Sequence, residues 1–370
     1  MKSLYQIKNI HVLKSSDNLI YPQNKDEYYL KSEKGDVVIE GNEVWAMQTL
    51  AQLADEKGRI PDVEIHDWSA YPFRGFMHDT GRNFQTIEML KETIDLMSLY
   101  KINYFHWHLT DNPAWRIECK VYPQLNDPQY QRPGRDCGKF YTYDEIRELI
   151  AYAKERGITV MPEIDMPGHS KSLGVVHPDI LCNYTPDTSH TNGIDVRDVW
   201  CASKETNYQL IEDIVKELVD IFPSEYIHIG GDEVNFKWWK DCPDCQQLKV
   251  EKGLKDEEQL EQYFINRVSD ILTKYHRKAM VWDEAVEGGL LPTTTMVTDW
   301  RGVKQCLQTT RQGYPTIIMP SSVFYLDKRQ YPYDKGHNSR NGLSLQTICD
   351  FSFEDAGFEE AQRKNIAGLE

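Results

Sequence analysis

The chain has 370 residues, 40% of them hydrophobic, which is enough for one large buried core or for a large and a small domain. Its formal net charge of -16, without clustered Lys and Arg, excludes nucleic acid as a partner and points to a neutral or cationic substrate. No stretch approaches the roughly 20 apolar residues of a membrane span, and "MKSLYQIKNIHVLK" lacks the apolar centre of a signal peptide, so the chain is expected to be cytoplasmic or to lack its targeting segment.

Residues 1–72 read as a small α/β module. "EYYLKSEKGDVVIEGN" (27–42) forms two short strands around a Gly turn, "EVWAMQTLAQLADEKG" (43–58) a helix, and "GRIPDVEIHDWSAYPF" (58–73) the connection onward. From residue 73 short apolar runs alternate with amphipathic stretches. Strands are expected at 74–79, 103–111, 159–165, 226–233, 278–285, 295–300, 316–321 and 366–370, with helices such as 87–101, 143–157, 207–222 and 258–276 between them. Eight such units predict a (β/α)8 TIM barrel over 73–370, whose active site is built at the C-terminal ends of the strands.

Those ends are rich in acids and tryptophan: His78 and Asp79, His108 and Asp111, Glu163 and Asp165, Asp232 and Glu233, Trp282 to Glu284, Asp299 and Trp300. Carboxylates accept hydrogen bonds from hydroxyl groups and indole faces stack on the C–H face of a sugar, so residue type points to a polyhydroxylated ligand. "YIHIGGDEVN" (226–235) sets two acids side by side, and consecutive strand residues face opposite ways, so both reach one cavity only if the strand has ended between them. Gly230 and Gly231 permit that break.

The eight cysteines are too sparse for a disulfide scaffold. "CPDC" (242–245) has metal-ligand spacing, but no second pair follows it, so buried thiols or a local disulfide are expected before zinc. His106 and His108 share a face and are read as polar packing beside the site. Trp238 and Trp239 fit either an aglycone subsite or burial beneath a loop.

"DTGRNF" (79–84), "HWHLTDNPAWRIE" (106–118), "MPEIDMPGHS" (161–170), "HIGGDEV" (228–234), "VWDEA" (281–285) and "FYLD" (324–327) together resemble glycoside hydrolase family 20, the β-N-acetylhexosaminidases. The resemblance implies substrate-assisted retaining hydrolysis, in which the substrate's 2-acetamido oxygen attacks the anomeric carbon. On this reading Glu233 is the general acid/base and Asp232 orients the acetamido group and offsets its developing positive charge. Arg82 matches a residue that binds sugar hydroxyls, and Asp111 and His169 match a polar network behind the catalytic pair. Trp282 and Trp300 match pocket walls, Tyr325 a donor to the acetamido oxygen, and Asp327 a partner of the outer hydroxyls. No metal and no cofactor are implied. The implied partners are N-acetylhexosamine-terminated oligosaccharides or glycoconjugates, in a periplasmic, secreted or lysosomal setting, with the oligomeric state open. Family members continue beyond "NIAGLE" to a further tryptophan and acid, so the resemblance implies a fragment, with a partial N-terminal domain and a barrel truncated at its eighth strand. Alternatives are an inactive or sugar-binding fragment, a disaccharide-releasing relative, or a metal-dependent hydrolase using His106, His108, Asp232 and the paired thiols.

Overall fold

A computed structural model describes residues 3–13, 25–134, 136–185, 189, 196–331, 333–337 and 342–370. The N-terminal module is a four-stranded sheet in the order Asn9–Val12, Asp36–Gly41, Tyr28–Glu33, Val63–Asp67. The stretch 58–73, expected as a connection, supplies the last of these and a further strand, Arg59–Pro61, which pairs with Leu4–Gln6. Helix Glu43–Leu53 is capped by Asn42, whose side chain accepts the Trp45 amide proton, and buries Trp45, Ala46 and Leu50. They pack with Leu30, Val37 and Ile39 of the sheet in a core of their own. Arg74 ties the module to the barrel through Asp26, at 2.8 Å.

The barrel closes through eight parallel strands: Phe73–Asp79, Tyr104–His108, Thr159–Glu163, Tyr226–His228, Lys278–Trp282, Met296–Asp299, Thr316–Ile318 and Ile366–Leu369. The eighth pairs with both the seventh and the first, so no side of the barrel is left open. That seam demands glycine: a Cβ on Gly368 would lie 1.9 Å from the Phe73 carbonyl oxygen. Helix Ile87–Leu99 starts at the Thr86 cap and buries Ile87, Leu90, Ile94 and Met97, a one-face spacing set against the strands. Helix Tyr143–Lys154 starts with a reciprocal capping box between Thr142 and Glu145. Among the described residues no helix is long and apolar enough to cross a membrane.

The strand period of two sorts side chains into a helix-facing set and a barrel interior. The interior is apolar at its base, where Phe73, Met161, Met280 and Ile317 cluster. One layer higher it is polar. Glu163 meets His106 at 2.9 Å, His228 at 2.9 Å and the Trp282 indole N–H at 2.7 Å, while His106 reaches Glu370 at 3.0 Å. The side chains of that layer are buried, and they form the floor beneath the mouth.

Candidate active site

The fourth strand ends at His228, two residues before the glycine pair. Gly230 and Gly231 take φ of 76° and 90°, and Glu233 itself takes φ 49°, so the chain leaves the pleat and turns twice. A Cβ on Gly231 would meet that of Ala285 at 2.9 Å, so the turn is also pressed against the next strand's exit. The result is that neighbouring acids converge. Asp232 Oδ2 lies 3.4 Å and Glu233 Oε2 3.3 Å from the same atom, His169 Nε2. The Asp232 carboxylate is 16% exposed and that of Glu233 57%, so one is sheltered and the other faces the opening.

His169 is held from behind, with Nδ1 3.4 Å from Asp111 Oδ1. Burial alone would lower its pKa, but hydrogen bonding to Asp111 and Asp232 overcomes this and pushes it up to about 11. The ring is therefore an imidazolium at neutral pH, a cation between three carboxylates. Asp111 passes the network on to Arg82 Nη2 at 2.7 Å, and Arg82 Nη1 binds Asp79 at 2.8 Å. Burial would raise the Asp79 carboxyl, yet His108 at 3.2 Å and Arg82 together hold it below the usual carboxylate range. His108 Nε2 in turn hydrogen-bonds Asp165 Oδ2 at 2.7 Å. These links run unbroken from Glu233 round to Asp165.

A cavity of about 180 Å³ opens above them, lined by Met77, Arg82, His108, Asp165, Asp232, Glu233, Trp282, Trp300 and Tyr325. Trp282 is fixed to the barrel floor through Glu163, whereas the Trp300 indole donates to Glu284 at 3.0 Å and stacks on Tyr325 with 6.3 Å between ring centroids. Burial pushes the Tyr325 hydroxyl well above its ordinary pKa, so it remains a hydrogen-bond donor. The wall thus combines aromatic faces, a guanidinium group and three carboxyl groups.

Of the residues singled out from sequence, Arg82, Asp232, Glu233, Trp282, Trp300 and Tyr325 line this cavity. Asp111 and His169 stand behind it and touch its acids, while Asp327 is exposed and outside the lining. His78 does not face the mouth; it is directed to the helix side, with its ring 6.2 Å from that of the core residue Phe105. Met77, its neighbour of opposite phase, is the lining residue that sequence reasoning passed over, and strand alternation from Asp79 was the signal for it. Trp238 and Trp239 are buried: Trp239 donates to the Trp200 carbonyl at 2.8 Å and Trp238 to Asp198 at 3.3 Å.

The ligand set of a metal-dependent hydrolase is not assembled among the described residues. His106 groups with Glu163 and His228, His108 with Glu163 and Asp165, and Asp232 with His169 and Glu233, while the thiols form a set of their own. No second pair follows "CPDC" along the chain, and its thiols are buried and free, as expected, but two earlier cysteines join them. Cys182 and Cys201, which precede it by many residues, are folded onto it.

Fold and site together define a barrel hydrolase site whose paired acids sit at the end of the fourth strand. Residues 71–370 match the glycosyl hydrolase family 20 catalytic domain, and the chain belongs to that family. It is 38% identical over 343 residues to a β-hexosaminidase of Porphyromonas gingivalis, covering 85% of this chain and 44% of that protein. It is 36% identical to a β-hexosaminidase of Vibrio furnissii, covering 78% of this chain and 50% of the other. An exo-β-N-acetylglucosaminidase from Vibrio harveyi, solved with N-acetylglucosamine, superposes with a TM-score of 0.87 at 28% identity, covering 99% of this chain and 66% of that one. The chain spans about half the length of the curated relatives it matches first.

Proposed function

We propose that this chain forms the catalytic barrel of an exo-acting β-N-acetylhexosaminidase, removing terminal β-linked N-acetylglucosamine or N-acetylgalactosamine with retention and with the substrate's acetamido group as nucleophile. The observation that carries this reading is the convergence of Asp232 and Glu233 on one His169 nitrogen, at 3.4 and 3.3 Å, at the rim of an aromatic-walled cavity. The reaction needs a carboxyl that gives a proton and a neighbouring carboxyl that accepts the amide N–H, and the turn brings one of each kind of residue to a single site.

In the first step Glu233 gives its proton to the departing glycosidic oxygen as the acetamido oxygen closes on the anomeric carbon. Asp232 accepts the amide N–H and opposes the positive charge that grows on the five-membered ring. His169, its pKa raised by hydrogen bonding to Asp111 and Asp232, holds the Asp232 carboxyl in place. In the second step water attacks from the face the leaving group vacated, and Glu233 takes its proton. Trp282 and Trp300 enclose the acetamido methyl and sugar face, Tyr325 donates to the acetamido oxygen, and Arg82 binds ring hydroxyls through its fork. The names of the relatives and the sugar bound in the Vibrio harveyi structure support this substrate class.

The test is hydrolysis of a nitrophenyl β-N-acetylglucosaminide followed by proton NMR of the first product. The β-anomer should appear first, and a thiazoline mimic of the cyclised intermediate should inhibit in the micromolar range or better. First release of the α-anomer, or a sugar ester trapped on any side chain, would overturn the reading. A tetrasaccharide substrate giving a disaccharide as first product would overturn the exo assignment alone.

A further inference from the structure

Four cysteines from three separate segments meet beside the barrel mouth. Cys182 follows the short turn Pro178–Ile180, Cys201 precedes helix Glu205–Ile221, and Cys242 and Cys245 lie at the start of helix Pro243–Lys252. All four are buried free thiols. Their sulfurs all lie within 4.8 Å of one another; Cys245 Sγ is 3.5 Å from that of Cys201 and 3.8 Å from that of Cys182. A disulfide would join one pair at about 2.05 Å and leave two sulfurs over. Four thiolates around a tetrahedral zinc, at about 2.3 Å each, have edges of about 3.8 Å.

The surroundings suit anionic sulfur. Cys242 is the N-cap of the ten-residue helix and Cys245 lies in its first turn, where free amides and the helix dipole favour negative charge. The Cys245 amide hydrogen-bonds the Cys242 sulfur, and the Ser203 hydroxyl lies 3.1 Å from Cys201 Sγ. Two cations brace the Cys182 turn: Arg197 donates to the Cys182 and Tyr184 carbonyls at 2.6 and 3.1 Å, and Lys204 to the Leu181 carbonyl at 2.6 Å.

We infer that Cys182, Cys201, Cys242 and Cys245 form a structural zinc site with four thiolate ligands. Zinc enters as the four thiols lose their protons to solvent, and with all four positions filled by protein the metal holds no water and does no chemistry. What it fastens is the loop that runs from the third barrel strand toward helix Glu205–Ile221, joined there to the segment that follows the catalytic turn. Trp200, next to Cys201, donates its backbone amide to Pro167 at 3.0 Å and its indole to Ser170 at 2.9 Å, and so braces the segment that carries His169. The inference does not rest on the hydrolytic reading.

The test uses the whole chain purified under reducing conditions from zinc-supplemented cells, without chelator. One zinc per chain is expected by elemental analysis, with eight thiols titrating after denaturation in chelator without reductant. Chelator should lower the thermal midpoint by several degrees, and zinc alone should restore it. After exchange, cobalt should give the intense visible bands of a tetrahedral ion with strong sulfur-to-cobalt charge transfer, weakened in Cys245→Ser. The cobalt spectrum of the parent chain needs no variant to fold. Six or four titrating thiols, a cobalt spectrum without sulfur charge transfer, iron in place of zinc, or no bound metal would each overturn the assignment.

Discussion

Asp232→Asn keeps the side-chain shape and one acceptor oxygen but removes the charge. On the proposed mechanism that charge faces a cationic ring about 4 Å away in a pocket where the carboxylate is 16% exposed. At an effective dielectric constant of about 20 the interaction is worth about 4 kcal/mol. His169, 3.4 Å away, already draws on the same carboxylate in the ground state, which reduces the differential part to about 2–4 kcal/mol. That predicts a fall in kcat of roughly 30- to 1,000-fold, with KM changed much less, because the interaction strengthens only as the ring forms. Steady-state kinetics on a nitrophenyl N-acetylglucosaminide give both constants, and the matching glucoside, which has no acetamido group, is the control. The variant's preference for the acetamido sugar should shrink by about the same factor. A kcat within twofold of the parent, or a loss confined to KM, would refute the role given to Asp232.

Arg82→Lys keeps the charge but cannot bind Asp79 and Asp111 at once, so KM should rise about tenfold or more with a smaller change in kcat, read from the same kinetics. His169 has its pKa raised above that of an unfolded histidine, so its stabilising contribution is complete below about pH 6.5 and fades as pH climbs toward about 11. His169→Gln should therefore melt below the parent at pH 6, and the gap should narrow steadily to pH 10; a constant gap would contradict the charged-histidine account. Gly368→Ala forces a methyl to within 1.9 Å of the Phe73 carbonyl, so the last strand must move away from the first. A cost of about 3 kcal/mol is expected, seen as a thermal midpoint lower by about 4 °C in circular dichroism. An unchanged midpoint would show that the seam tolerates displacement.

The barrel was legible because its apolar runs and amphipathic helices keep their periods over hundreds of residues. Every one of the eight strands falls where it was expected, but most end early. The run expected at 226–233 stops at His228, and that expected at 278–285 stops at Trp282. The reason is the same in both: the residues that carry chemistry leave the ladder, so a strand pattern read from apolarity overshoots into the site. Asp232 and Glu233 were identifiable from their motif, while their meeting at His169 depends on a backbone turn that only the folded chain displays. Asp327 rested on a four-residue motif whose aspartate the loop leaves exposed. The thiol cluster was invisible for a different reason. Its members are separated by long stretches of chain, and nothing local in "CPDC" signals which distant cysteines will be folded against it.

The two aromatic walls differ in their anchoring. Trp282 is a strand residue tied through Glu163 to the interior histidines, so altering it disturbs the packing of the whole barrel. Trp300 and Tyr325 lean on one another and on Glu284 in connecting segments that can be exchanged without rebuilding that interior. Diversification among descendants of this chain should therefore accumulate on the loop-borne side, with the opposite side inherited almost unaltered. A library randomised at Trp300 and Tyr325 should yield many folded members with new sugar preferences, whereas one randomised at Trp282 should yield few that fold at all.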